Sequence, residues 1–182
     1  MNKKILIAVA IIGVAAGVVV NQFLMKPEQQ TRTQVSQHKP AKPKSNRRPD
    51  FILKDLEDTP RKASEWDGKV IIVNFWATWC PPCRREMPAF IEFQEAYHDK
   101  GVTFLGIALD EKDAVTDFTD PLGMNYPILI AEQEGIQLSS AYGNRLNVLP
   151  FTAIVDRKGN IVKRFSREVS FEDIEKIVKP LL

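Results

Sequence analysis

A chain of 182 residues with 44% apolar side chains is long enough for one well-buried domain and something extra. Its formal charge of +2 conceals a division, because residues 1–49 hold nine Lys or Arg against Glu28 alone and leave 16 basic and 22 acidic groups to the other 133 residues. A body near −6 argues against a nucleic-acid partner, which would need its excess of Lys and Arg on the folded part.

After Met1-Asn2-Lys3-Lys4, the sixteen residues Ile5 to Val20 carry no charged or strongly polar side chain, and Phe23, Leu24 and Met25 extend the apolar character to about 21 residues. Residues 1–25 are therefore expected to be a membrane anchor, with a cleaved signal peptide as the alternative. The positive-inside rule does not orient it, since lysines lie on both sides. A signal-like start and a dithiol motif together place the following domain outside the cytoplasm. Residues 26–49 contain four prolines, no aromatic residue and Val35 as the only large aliphatic. Such a stretch buries too little to order itself and reads as a basic tether.

The domain is expected over 50–182. Phe51-Ile52-Leu53 with a turn at Glu57-Asp58-Thr59-Pro60 reads as a strand and hairpin, and Ser64 to Gly68 as a capped turn. Val70 to Trp76, broken only by Asn74, reads as a strand buried on both faces. A helix begins at Cys80, with Met87, Phe90, Ile91, Gln94 and Tyr97 on its inner face, Pro88 expected to kink it and Gly101 to stop it. Val102 to Leu109 reads as a second buried strand. A helix follows from Lys112 to about Leu122, a short strand from Tyr126 to Ile130, and a helix from Glu134 to Tyr142 ended by Gly143. Phe151 to Val155 and Ile161 to Phe165 flank the hairpin signal Asp156-Arg157-Lys158-Gly159-Asn160. Ser170 and Asp173 cap a last helix carrying Phe171, Ile174, Ile177 and Val178. Strand-helix-strand units followed by a hairpin and helix predict an α/β sandwich around a mixed sheet.

The only two cysteines, Cys80 and Cys83, stand two residues apart where a buried strand hands over to a helix. A cysteine at a helix N-terminus faces unsatisfied N–H groups and the positive end of the helix dipole, both of which favour the thiolate. Cys80 is that residue. Cys83, one turn later, is placed to attack a mixed disulfide formed at Cys80. A purely structural disulfide would close too small a loop to be worth much. A four-ligand zinc site lacks its second ligand pair, whereas a copper site of two thiolates and a histidine, His38 or His98, stays open as a rival. Glu86 reads by itself as a first-turn carboxylate paired with Arg84 or Arg85.

FWATWCPPCRREMP, VLPFT near residue 150 and the following IVDRKGNIV resemble the thioredoxin superfamily, and within it the membrane-anchored TlpA and ResA type of thiol-disulfide oxidoreductase. The resemblance covers about residues 50–182. It implies a thioredoxin-like fold with an N-terminal β-hairpin and an inserted strand-helix unit between Lys112 and Gly143. It further implies that Cys80 is the exposed nucleophile, Cys83 the buried resolving thiol, and Leu149-Pro150 a cis bond. Thioredoxin has a buried aspartate where this chain has Asn74, and by the resemblance Glu86 takes over its proton-transfer role. Trp76 is expected in the core. Trp79, Pro81, Leu149 and Pro150 are expected to meet the substrate, with main-chain pairing along Leu149.

The implied activity is reduction of disulfides in extracytoplasmic (periplasmic) proteins, with electrons from a membrane thiol transporter. The clients implied are apocytochrome c or a copper-site assembly protein. No metal or prosthetic group is required. The alternatives are a copper-binding assembly module and a disulfide oxidant or isomerase.

Overall fold

The computed structural model describes residues 46–182. The expected anchor, most of the expected tether and His38 lie outside the described residues. Among the described residues, no helix is long and apolar enough to cross a membrane.

Seven strands form one mixed sheet in the order β2-β1-β5-β4-β3-β6-β7. β3 (Val70–Trp76) and β4 (Val102–Ala108) are buried along their whole lengths and pair in parallel at its centre. β5 (Ile128–Ile130) continues the parallel set beyond β4, and the hairpin of β1 (Ile52–Asp55) and β2 (Pro60–Lys62) docks antiparallel on it. On the other side β6 (Phe151–Val155) and β7 (Ile161–Phe165) add an antiparallel hairpin. This is the expected thioredoxin-like α/β fold. The expected insertion supplies β5, the bridge between the N-terminal hairpin and the central strands.

The two-residue period of β3 divides its side chains between two cores. Val70, Ile72 and Trp76 face one side, where α1 (Pro81–Tyr97), α2 (Lys112–Thr119) and α4 (Phe171–Val178) contribute Phe90, Phe93, Val115 and Ile174. Ile71, Val73 and Phe75 face the other, against Trp66 and Tyr142 of α3 (Glu134–Tyr142). Asn74 falls on the α1 side by the same alternation. That parity decides what Asn74 can touch.

Element boundaries depart from expectation where backbone donors are missing or redirected. β1 starts at Ile52 rather than Phe51, and β5 at Ile128 rather than Tyr126, since Pro127 has no N–H to give a ladder. The helix expected over Lys112–Leu122 is α-helical to Thr119 and tightens to 3-10 over Asp120–Leu122, where Pro121 sits at a first-turn position. α1 runs on past Pro88 to Tyr97, and Gly101 adopts φ 75° after a closing 3-10 turn. Contacts of the domain also begin before Asp50. Ile161 donates its N–H to Asn46 O at 2.6 Å, and Arg48 donates its N–H to Gly159 O at 2.8 Å, laying this strip along the β6–β7 turn.

Candidate active site

The end of β3 delivers the cysteines, and its loop is pinned rather than free. Thr78 donates both its N–H, at 3.0 Å, and its hydroxyl, at 2.5 Å, to Asp110 Oδ2 just beyond β4. Cys80 then caps α1, and its sulfur accepts the Cys83 N–H at 3.3 Å. Pro81 and Pro82 occupy first-turn positions, where no helical N–H is needed. Cys80 and Cys83 are joined as a disulfide with Cα atoms 5.3 Å apart.

Cys80 does not meet the expectation of exposure. It keeps only 3% of its accessible surface in this oxidised form and Cys83 none, although Cys80 forms part of the wall of a groove of about 440 Å³. Trp79, Pro81, Leu109, Ile136 and Leu149 also line it, with Glu132 as its only ionisable side chain. Among the described residues eight large apolar side chains are exposed, and four of them cluster here. Trp79 and Ile136 line the groove, while Leu146 and Val148 stand on the loop whose Asn147 and Leu149 line it. Trp79 is 67% exposed and Leu146 80%. Trp76, by contrast, is buried in the core as expected.

The Leu149-Pro150 peptide is cis, as expected. The loop before it is shaped by Asn144, which is buried. Its amide donates to Ser139 Oγ at 2.9 Å and to Val148 O at 2.8 Å, and its carbonyl accepts the Val148 N–H at 3.2 Å. Gly143, at φ 109°, makes the left-handed exit from α3 that starts this loop.

A small polar nest joins α1 to β3, β6 and the connection before α4. Glu86, one turn beyond Cys83, is 2% exposed. Its Oε1 accepts from Asn74 Nδ2 at 2.8 Å, and its Oε2 accepts the Val169 N–H at 3.1 Å. Asn74 Nδ2 also donates to Thr152 Oγ1 at 3.0 Å, across the register that pairs the two residues on β3 and β6. The surface-carboxylate reading of Glu86 is therefore overturned, and Arg85 pairs with Glu168 instead. Burial pushes the Glu86 carboxyl up to about 8, against the pull of the Val169 and Asn74 hydrogen bonds, and the charge of Glu168 adds to the rise. A carboxyl so placed can exchange a proton near neutral pH.

His98 lies beyond the far end of α1, about 25 Å along the helix axis from the cysteines at 1.5 Å per residue. It is exposed and faces Asp99. Among the described residues no three His, Cys, Asp or Glu side chains gather into a group able to hold a metal ion. The copper rival is therefore not assembled with His98.

Sequence reading missed Asp110, Asn144, Thr152 and the Val169 amide. Thr152 alone had a signal, since it stands in the VLPFT stretch two residues past the cis proline. The others act through distant pairings or through backbone, for which a residue letter carries no mark.

A disulfide at the N-terminus of a helix that follows the central strand, beside a cis proline, defines a thiol-disulfide oxidoreductase of thioredoxin-like fold. Residues 43–178 match the redoxin family, and the chain belongs to it. The thiol-disulfide oxidoreductase ResA of Geobacillus thermodenitrificans is 38% identical over 128 residues, covering 70% of this chain and 71% of that protein. A thioredoxin-family thiol:disulfide interchange protein from Chlorobium tepidum superposes with a TM-score of 0.68 at 31% identity, over 74% of this chain and 94% of that one. A secreted thiol-disulfide isomerase from Corynebacterium glutamicum superposes with a TM-score of 0.67 at 30% identity, over 73% and 83%. Within the family the chain is of the TlpA and ResA type.

Proposed function

We propose that this oxidoreductase works as a reductase of disulfides in proteins outside the cytoplasm, held at the membrane by residues 1–25 and set off from it by residues 26–49. The observation that carries the reading is the arrangement of the pair itself. An apolar groove is lined by Cys80, and the buried carboxyl of Glu86 stands one helical turn beyond Cys83.

In the reduced protein the Cys80 thiolate attacks one sulfur of a client disulfide. A mixed disulfide forms and one client thiolate leaves. Cys83 then loses its proton to the Glu86 carboxylate and attacks the Cys80 sulfur. The second client thiolate leaves, takes up a proton, and the pair is left as the disulfide seen here. Two electrons have passed to the client. Glu86 is the proton acceptor in resolution, and it returns the proton when the pair is next reduced. Trp79, Pro81 and Leu149 hold the client, whose extended chain pairs with the backbone of Leu149 beside cis-Pro150.

By resemblance to the TlpA and ResA type, a membrane thiol transporter resupplies the electrons, and apocytochrome c or a metal-site assembly protein is the client. Trapping with Cys83→Ser in cells leaves clients linked to Cys80, and their identity tests this assignment. A reduction potential as high as that of a dedicated disulfide donor, near −120 mV, would instead make the protein an oxidant.

A further inference from the structure

Glu86 is held from two directions that differ in firmness. Asn74 belongs to the central strand and moves only with the sheet. The Val169 N–H belongs to the connection between β7 and α4, a segment with no ladder of its own. The Val169 side chain is buried in the core that α1 shares, and a second contact between neighbouring residues ties the connection to α1. Arg85 donates from Nε at 3.0 Å and from Nη2 at 2.6 Å to Glu168 Oε2. The dipeptide Arg85-Glu86 thus grips the dipeptide Glu168-Val169 twice, once ionically in solvent and once through a buried hydrogen bond. Arg167 anchors the far side of the segment, binding Asp173 at 2.8 Å and Glu168 O at 2.7 Å.

An ion pair this exposed contributes little to global stability, so its effect is local. We propose that Arg85 and Glu168 are positioning residues for thiol-disulfide exchange: they form a clasp that keeps the Val169 N–H on the Glu86 carboxyl and thereby governs its proton exchange. The proposal rests on Glu86 being the proton acceptor for Cys83. Glu86 is faced from the sheet by the neutral amide of Asn74, itself bonded to the neutral Thr152, and from the connection by the Val169 N–H and the charge of Glu168. The Tyr126 phenol is in electrostatic reach, but burial raises it so far that it stays neutral.

The clasp and the bare charge of Glu168 predict opposite signs. As a charge alone Glu168 raises the Glu86 titration, so Glu168→Gln would lower it. As half of a clasp, its loss frees the Val169 N–H, which removes a hydrogen bond to the charged form and offsets or exceeds that fall. In Arg85→Gln both effects point upward, because the clasp opens and Glu168 loses its counter-ion.

The test is carried out on the oxidised full-length chain in detergent micelles, labelled with ¹³C at glutamate carboxyls, with Glu86 assigned by its absence in Glu86→Gln. The Glu86 midpoint is expected to rise by about 0.5–1 pH unit in Arg85→Gln and not to fall in Glu168→Gln. Exchange of the Val169 amide hydrogen should quicken about tenfold in both variants, while Arg85→Lys, which keeps the pair, stays close to the wild type. An unmoved midpoint in Arg85→Gln, a lowered one in Glu168→Gln, or unchanged Val169 exchange would overturn the clasp. A midpoint that moves while the pH profile of mixed-disulfide resolution does not follow it leaves the clasp standing and removes Glu86 from the proton transfer.

Discussion

The disulfide is bounded by two unlike regions. Above Cys80 the groove is open and largely apolar, ringed by exposed Trp79, Ile136, Leu146 and Val148, with cis-Pro150 at the head of β6. One turn along α1 from Cys83 the nest of Asn74, Glu86, Thr152 and Val169 N–H is closed and polar, with its hydrogen bonds made internally. Exposed apolar surface gains by being covered, so the groove suits a protein partner. A buried carboxyl is unsettled in its ionised form, so the nest suits proton transfer.

The strongest way to break this division is Cys83→Ser. Turnover of a protein disulfide should cease, while Cys80 still enters mixed disulfides that accumulate and can be counted on non-reducing gels. Continued turnover would mean that Cys83 is not the resolving thiol.

Glu86→Gln should act on resolution and spare the first attack. A positioned base contributes on the order of 100-fold or more, so decay of a preformed mixed disulfide at pH 8 should slow about 100-fold in stopped-flow fluorescence. In the wild type only the ionised carboxyl can accept the Cys83 proton. With Glu86 titrating near 8, the rate should rise as pH approaches 8 and level off above it, and the Gln variant should lose that dependence. Stability runs the other way. The folded carboxyl titrates near 8 and an unfolded one near 4.5, so the unfolded state binds fewer protons between these values. The oxidised wild type should therefore lose stability relative to Glu86→Gln as pH rises from about 4.5 to 8, by a few kcal/mol in urea melts at a series of pH values.

Changes to the groove should touch affinity and little else. Ile136→Ser with Leu146→Ser should raise KM for a protein disulfide about tenfold at a retained kcat, since a few apolar anchors carry most of an interface's energy. A fall in kcat with unchanged KM would merge the two regions. The smallest effect is expected from Thr152→Val. Asn74 would lose one acceptor at 3.0 Å and aim less firmly at Glu86, slowing resolution about two- to threefold in the same stopped-flow assay.

The residue order by itself determined the architecture and the reactive pair. Alternating runs of β-branched strand and periodic helix set the mixed sheet, and a period of two placed Asn74 on one face of β3 whatever the rest of the chain did. Two prolines after Cys80 marked a helix start, because only first-turn positions spare their missing N–H groups. Spacing likewise put Glu86 one turn beyond Cys83. It could not choose between a solvent-facing carboxylate and a buried one, since both fit the same helix turn. Only the tertiary structure decided that, by bringing Val169, 83 positions along the chain, to the carboxyl and giving Arg85 a different partner in Glu168. It also decided the low exposure of Cys80 and assembled the groove beside it from the β3–α1 loop, α3 and the loop before cis-Pro150. Local pattern fixes elements because periodicity and capping act within a few residues, whereas burial and proton affinity depend on which distant backbone groups the fold brings near.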